Sequence, residues 1–152
     1  MTTGVTGMST LLQVFDMPTS AAFYCDVLGF KLVRRSQEGQ AHFDWCMLEL
    51  DGTYLMLNTR YERDERPPAP DPLRVAHHDD VGLYYACSDV EAVYRRLRDK
   101  GAAVAPPQRM HYGAKEIWLK DPDGSFISRK SASPARKGSG ATNSVHEGPS
   151  PN

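Results

Sequence analysis

The sequence is poor in cysteine, in net charge and in long apolar runs. Its three cysteines, Cys25, Cys46 and Cys87, are widely spaced and form no CxxC pair, which excludes a disulfide framework and a zinc knuckle and predicts free thiols. A formal charge of −1 gives no electrostatic reason to bind nucleic acid or an anionic membrane. No apolar run approaches the roughly 20 residues of a membrane-spanning helix, and the first residues do not resemble a secretion signal. We therefore expect a cytoplasmic protein with no nucleic-acid partner and no membrane partner.

Motifs that usually carry chemistry are also missing. We find no glycine-rich phosphate loop, no nucleophile elbow and no Cys/His pair in a recognisable context. The run His77-His78-Asp79-Asp80 has a metal-like composition, but adjacent residues of an extended segment point to opposite faces and do not converge on one ion. The sequence therefore predicts no catalytic residue, no metal ligand and no cofactor.

Two stretches share one pattern of local structure. Leu11 to Val33 and Leu83 to Val104 each begin with an apolar, strand-like run that ends at a polar helix start. Apolar residues then recur every three to four positions along one helix face, and a glycine follows. Gly29 and Gly101 are 72 residues apart, as are Gly52 and Gly124 in the later Asp-Gly turns. The spacing predicts a duplicated module.

Each module is predicted to contain one strand, one helix and three further strands, which gives an α+β fold. The predicted boundaries are a flexible N-terminus (1–8), a first βαβββ module (9–58), a proline-rich exposed linker (59–80), a second βαβββ module (81–130) and a disordered tail (131–152). In the second module a capping box, Ser88-x-x-Glu91, opens the helix, and Ala102 to Val104 forms the next strand. Neither half closes a core alone, so the two are expected to curve round a shared cleft.

Strand alternation predicts which side chains face that cleft. Leu48, Leu50, Leu55, Leu57, Ile117 and Leu119 should face the helices, so residues of the opposite parity face the ligand side. The expected ligand-binding residues are therefore mostly aromatic or thioether-bearing: Phe43, Trp45, Met47, Glu49, Tyr54, Met56, Asn58, Tyr84, Glu116 and Trp118, with Tyr112 from a loop before the late hairpin. Such a surface suits a flat or cationic organic ligand, although any single aromatic among them is as readily a core or dimer residue.

The motifs FY-x-x-x-LGF (23–30) and DPDG (121–124) resemble those of the vicinal oxygen chelate superfamily, which includes glyoxalases, extradiol dioxygenases and bleomycin resistance proteins. The resemblance covers about Ser9 to Arg129. It implies two βαβββ modules forming a curved mixed sheet around a cleft, and a homodimer. It also implies that metal-dependent members take ligands from positions that correspond here to Ser9, Met56, Gly82 and Ser128.

Three functions remain open at this point. The missing metal ligands favour a metal-independent small-molecule binding protein of the bleomycin-resistance type, whose ligand is aromatic or cationic and antibiotic-like. A second reading is an enzyme, either a metal-dependent lyase, isomerase or dioxygenase or a metal-free catalyst that uses Glu49, Glu116 or Tyr112 for proton transfer. A third is a non-catalytic partner module. Whether the chain turns over any substrate stays undecided.

Overall fold

A computed structural model describes residues 3–131. Met1, Thr2 and residues 132–152, which hold nearly all of the predicted tail, lie outside the described residues. The described chain folds into strands β1 (Thr10–Val14), β2 (Lys31–Arg35), β3 (Trp45–Leu50), β4 (Thr53–Thr59), β5 (Gly82–Cys87), β6 (Gln108–Arg109), β7 (Lys115–Lys120) and β8 (Phe126–Ser131) and helices α1 (Met17–Ala22), α2 (Pro72–His77) and α3 (Val90–Asp99). None of these helices is long and apolar enough to cross a membrane.

The strands form two sheets of four, with the orders β1-β4-β3-β2 and β5-β8-β7-β6. In each sheet the strand that opens the module lies parallel to the strand that closes it, β1 beside β4 and β5 beside β8. The remaining pairings are antiparallel. This repeated topology confirms the expected α+β fold with two four-stranded mixed sheets.

A single hydrophobic core joins the two sheets through their helices. Leu48, Leu55, Leu57, Ile117 and Leu119 are buried in it, together with helix residues from both modules. The alternation predicted from sequence is therefore confirmed for these strands. Because the inner faces of both sheets contribute to one core, the outer faces point away from it.

Helix α1 begins and ends where the sequence indicates. The Asp16 carboxylate accepts from the Thr19 backbone N–H at 3.1 Å, and Pro18 lies in the first turn, where its missing N–H costs no hydrogen bond. The helix continues as a π-helical turn, Phe23–Val27, and stops at Gly29, whose φ of +88° lies in the left-handed region.

Helix α3 has a different start from the predicted capping box. Its cap is Asp89, which follows Ser88 and accepts from the Ala92 N–H at 3.0 Å. Asp89 thus caps its helix as Asp16 caps the helix of the first module. Among the described residues the Glu91 side chain makes no capping bond and pairs instead with Lys115 at 2.5 Å. The prediction of a Ser88–Glu91 box was therefore wrong.

Two further segments differ from the sequence-based prediction. Ala102 to Val104 is not a strand, although Ala102 and Val104 pack against the core. The strand that pairs with β7 is β6, which begins only after the two prolines that follow Ala105. Prolines lack the N–H donors that a strand pairing needs. The segment 59–80 is more than a connector, because it contains α2 and a 3₁₀ turn, His78–Asp80. Asp71 caps α2 and Pro72 opens it, so this proline begins a helix instead of breaking one.

Candidate functional site

The outer side of β3 and β4 carries one group of the predicted binding residues. The ladder pairs Trp45 with Asn58, Met47 with Met56 and Glu49 with Tyr54, so six side chains stand in three adjacent rows. We call this group face A: Trp45, Met47, Glu49, Tyr54, Met56 and Asn58. Tyr54 is 49% exposed and the other five are partly exposed. Face A is therefore an accessible aromatic and thioether surface.

Hydrogen bonds fix the polar members of face A. The Asn58 amide donates to Gln13 Oε1 at 3.2 Å on the neighbouring strand β1. Glu49 Oε1 accepts from the Gly52 N–H at 2.7 Å in the hairpin turn. One Glu49 carboxylate oxygen is thus engaged by the backbone, and the other is the acidic group that face A can offer to a ligand.

Phe43 is not part of face A. It precedes β3 and packs against the core, and the Arg35 guanidinium carbon lies over its ring, 5.5 Å from the centroid. Alternation placed Phe43 on the ligand side as if it were a strand residue, but β3 begins only at Trp45. A residue outside the ladder need not follow the ladder's alternation.

A second group lies on the outer side of the other sheet. Ser128 of β8 pairs with Tyr84 on one side and with Trp118 on the other, so these three side chains share one row. Tyr84 is 57% exposed and its ring lies 6.0 Å from that of Phe126. We call this group face B: Tyr84, Tyr112, Glu116, Trp118 and Ser128.

Glu116 and Ser128 are the buried members of face B. Glu116 is 2% exposed; Tyr112 Oη donates to its Oε1, and Ser128 Oγ donates to its Oε2 at 3.3 Å. Strand alternation predicts that Glu116 contacts a ligand. Here its two oxygens are held by Tyr112 and Ser128, so a ligand on face B would first meet Tyr112, which is about half exposed.

The two faces belong to different sheets of the chain. Each lies on the side opposite the shared core, so the described chain does not gather the predicted residues into one cavity. Five cavities of about 190 to 410 Å³ are lined by other residues, and none of the eleven predicted ones lines them. A single enclosed pocket would need a further surface placed over face A or face B.

The positions that the family resemblance implies for a metal do not fit one. Ser9 precedes β1, Met56 lies in β4, Gly82 opens β5, and the Ser128 hydroxyl is already donated to Glu116. A divalent ion needs imidazole or carboxylate ligands that converge. Within residues 3–131 no group of three or more histidine, cysteine, aspartate or glutamate side chains is arranged to hold a metal ion.

The thiols offer no activated nucleophile either. Cys25, Cys46 and Cys87 are all free, which confirms the prediction. Burial raises the pKa of Cys46 to about 11 and is also the main cause that raises the pKa of Cys25 and of Cys87. These groups remain neutral thiols near pH 7, and a thiol reacts as a nucleophile through its thiolate.

A buried polar junction, which the sequence did not predict, joins the modules. The DPDG hairpin turn was expected only to reverse the chain, yet its Asp123 is buried and accepts from Phe15 N–H at 2.8 Å and Ser20 Oγ at 3.1 Å, while Arg74 Nη1 lies 3.1 Å away. His78 Nδ1 contacts the Asp123 carbonyl at 2.6 Å. Helix α1 and the α2 segment are therefore both anchored to the second hairpin.

Asp121 forms the other half of this junction. Its Oδ2 accepts from the fully buried Tyr24 hydroxyl at 2.8 Å, and its Oδ1 accepts from two backbone N–H groups of the turn, including that of Ser125 at 2.7 Å. Desolvation is the largest cause that raises the pKa of Asp121, and it also raises the pKa of Tyr24. The only sequence signal for this contact was a tyrosine on the apolar face of α1.

Comparison with known proteins agrees with this geometry. Residues 8–128 match the family model described as Glyoxalase/Bleomycin resistance protein/Dioxygenase superfamily. A lactoylglutathione lyase of Neisseria meningitidis is 31% identical over 134 residues, which are 82% of this chain and 91% of that protein.

Two solved structures share the fold. TnmS3, an antibiotic binding protein from Streptomyces sp. CB03234, has a TM-score of 0.62 and 22% identity over 87% of this chain and all of its own. A bleomycin-binding protein complexed with bleomycin has a TM-score of 0.62 and 21% identity over 84% of this chain and 99% of its own. The chain belongs to the glyoxalase/bleomycin resistance protein/dioxygenase superfamily.

Proposed function

We propose that this protein binds a small aromatic or cationic, antibiotic-like molecule without a metal. The observation that carries this function is face A, where Trp45, Tyr54 and paired methionines stand in adjacent rows and remain partly exposed. Aromatic rings give stacking area and a negative π face, and the free Glu49 oxygen supplies a charge for a cation. The metal positions, filled by Ser9, Met56, Gly82 and Ser128, support binding without an ion.

The same proposal includes a homodimer in the cytoplasm. Face A and face B point away from the core of their own chain, and Tyr54 and Tyr84 leave large apolar surface exposed. A second copy that lays its face B opposite face A would enclose a pocket between them and cover both tyrosines. The binding site would then be composed of residues from two chains.

Tryptophan fluorescence tests the proposal directly, because the chain has two tryptophans and each stands on one face. Trp118→Phe leaves Trp45 to report on face A, and Trp45→Phe leaves Trp118 to report on face B. Titration with bleomycin and with the planar cation ethidium should quench both single-tryptophan variants with the same dissociation constant if the two faces share one ligand.

A matched control and a mass measurement complete the test. Tyr54→Ala on face A should weaken binding about tenfold or more, whereas Tyr61→Ala, which lies beside Phe15 away from both faces, should leave it unchanged. The mass in solution should be twice that of the 16.9 kDa chain. No quenching and no thermal shift with either compound would overturn the binding function, and a monomer that still binds would overturn the composite pocket alone.

A metal-dependent lyase is the second candidate, favoured by the Neisseria meningitidis relative named lactoylglutathione lyase and by the buried Glu116 with its partner Tyr112 on face B. A carboxylate in that setting can exchange a proton with a ligand that displaces the tyrosine. Metal analysis of purified protein, and an assay for formation or loss of lactoylglutathione with added Ni²⁺ or Zn²⁺, separates the candidates. One bound ion per chain together with turnover would favour the lyase.

A further inference from the structure

Arg129 occupies a core position of the last strand. Strand β8 alternates, so Arg129 shares the inward direction of Ile127, which is fully buried, and it pairs with Ile117 of β7 and Tyr85 of β5. Arg129 is 7% exposed, and its guanidinium carbon lies 4.2 Å from the centroid of the Tyr85 ring. A full positive charge is therefore placed where the neighbouring inward residues are apolar.

The Nε of this guanidinium is buried and lacks a hydrogen-bond acceptor among the described residues. No carboxylate of residues 3–131 lies within ion-pair distance of the guanidinium. The Tyr85 ring offers one π face and no lone pair in the guanidinium plane. A buried charge without acceptors destabilises the folded state, which is why buried arginines are normally paired.

A cavity of about 410 Å³ adjoins Arg129, between the modules. It is lined by the hairpin turn of the first module, by the start of α3 and by a second arginine, Arg96. Arg96 Nη2 donates to the Leu28 carbonyl at 2.7 Å, which leaves its remaining donors available. The volume lies within the usual range of small-molecule sites.

Two carboxylates also line this cavity, and neither neutralises Arg129. Asp89 is engaged as the cap of α3, where it accepts from Ala92 N–H. Asp51 stands in the exposed hairpin turn and attracts Arg129 only from beyond ion-pair distance. Apart from Ser88 the remaining wall is apolar and includes Leu50 and Val93.

We propose that this cavity is a binding site for the oxyanion of a small organic molecule, a carboxylate or a phosphate, with Arg129 as the principal ligand and Arg96 as the second. A planar guanidinium offers parallel N–H donors that match the two oxygens of either group. The apolar wall beside the arginines takes the organic part of the molecule. The site lies on the core side of the sheets, apart from face A and face B, and it does not depend on the function proposed for them.

Occupancy of this site should stabilise the fold, because the cavity is built from both modules and exists only when they are packed together. Thermal unfolding of the full chain at constant ionic strength is the first measurement, with inorganic phosphate and benzoate as probes and chloride as reference. A saturable rise in Tm of about 5 to 10 °C is expected at a hundredfold excess over the dissociation constant. The two probes distinguish a phosphate from a carboxylate site.

Arg129→Met is the decisive variant, since it keeps an unbranched chain of similar length and removes the charge. It should fold with a Tm equal to or above that of the wild type in chloride, and it should lose the anion-dependent rise. Arg98→Met, an exposed arginine of α3, is the matched control and should keep the full rise. An equal rise in Arg129→Met and wild type, or no rise with either probe, would overturn the site.

A second readout needs no variant to fold. The ¹⁵N–¹H resonance of Arg129 Nε should shift on addition of the stabilising anion, and the proton on Nε should exchange more slowly with water.

Asp51→Asn tests the competing arrangement, in which the Asp51 side chain changes conformation and pairs with Arg129. A large loss of Tm in Asp51→Asn with no anion effect on the wild type would establish that internal pair and refute the proposal.

Discussion

Removal of the Tyr24 hydroxyl should weaken the junction between the modules more than any change of comparable size on the surface. In Tyr24→Phe the fully buried ring is kept, while Oδ2 of Asp121 loses its 2.8 Å donor. A hydrogen bond to a charged group contributes about 1.5–3 kcal/mol, and the carboxylate left behind is buried. We expect the free energy of unfolding to fall by about 2 kcal/mol at pH 7, with a drop in Tm of roughly 4–8 °C.

The loss should depend on pH with a definite sign. Burial raises the pKa of Asp121 above its ordinary value of 3.8, so the folded protein holds this proton more tightly than the unfolded chain does. Below that pKa the carboxyl is neutral, and the Tyr24 hydrogen bond is worth only about 0.5–1.5 kcal/mol. The cost of Tyr24→Phe should therefore be smaller near pH 4 than at pH 7. Since ionised Asp121 is the disfavoured form, the stability it contributes also falls as pH rises through its raised pKa.

Urea unfolding at pH 4 and pH 7 gives both quantities, and a double-mutant cycle with Asp121→Asn isolates the pair. Tyr94→Phe on α3 is the control, because the Tyr94 ring contacts the Arg98 guanidinium and its hydroxyl accepts or donates no hydrogen bond that the described structure records. If Tyr24→Phe costs no more than Tyr94→Phe, or if its cost grows as pH falls, the reasoning about the junction is refuted.

Two further substitutions test local features of the helices. Gly29→Ala should cost more than Gly52→Ala. Both glycines have positive φ, which strains alanine by about 1 kcal/mol. A Cβ at Gly29 would also push Arg96 Nη2 away from its hydrogen bond to the Leu28 carbonyl, whereas a Cβ at Gly52 meets nothing within 4 Å. Asp89→Ala should cost about 1 kcal/mol as loss of the α3 cap, whereas Ser88→Ala should cost almost nothing. Urea unfolding midpoints measure the cost of all four substitutions. Equal costs for the two glycine variants would contradict the contact with Arg96, and equal costs for Asp89→Ala and Ser88→Ala would contradict the cap at Asp89.

Local rules were sufficient for most of the fold. The Asp16 cap, the stop at Gly29 and the Asp51-Gly52 hairpin each depend on neighbouring residues, and the structure has all three. The capping box failed because Ser88 and Asp89 are both good caps, and only the geometry of the preceding strand decides between them. The missed helix α2 followed from treating Pro72 as a breaker, although proline favours the first helical turn.

The burial of individual strand residues was predictable from the sequence, but the arrangement of the two sheets was not. Alternation correctly separated the buried Leu48 and Leu55 from the exposed Tyr54, because a strand has a period of two. The same rule gives no information on where one sheet lies relative to another. That relation is set by contacts about a hundred residues apart, such as Tyr24 with Asp121, and no local pattern encodes them. The burial of Glu116 behind Tyr112 was missed for the same reason.

The packing of the two sheets links the core to the proposed binding site. Both sheets use their inner faces for one core, so aromatic residues such as Tyr54 and Tyr84 lie outside it. A ligand can reach these residues in the single chain only because they leave apolar surface exposed to water. In the proposed homodimer a second copy would cover that surface and create the pocket in the same step, so ligand binding and dimer formation would stabilise each other. The affinity for a ligand should then fall on dilution below the dimer dissociation constant, which a pocket enclosed within one chain would not show.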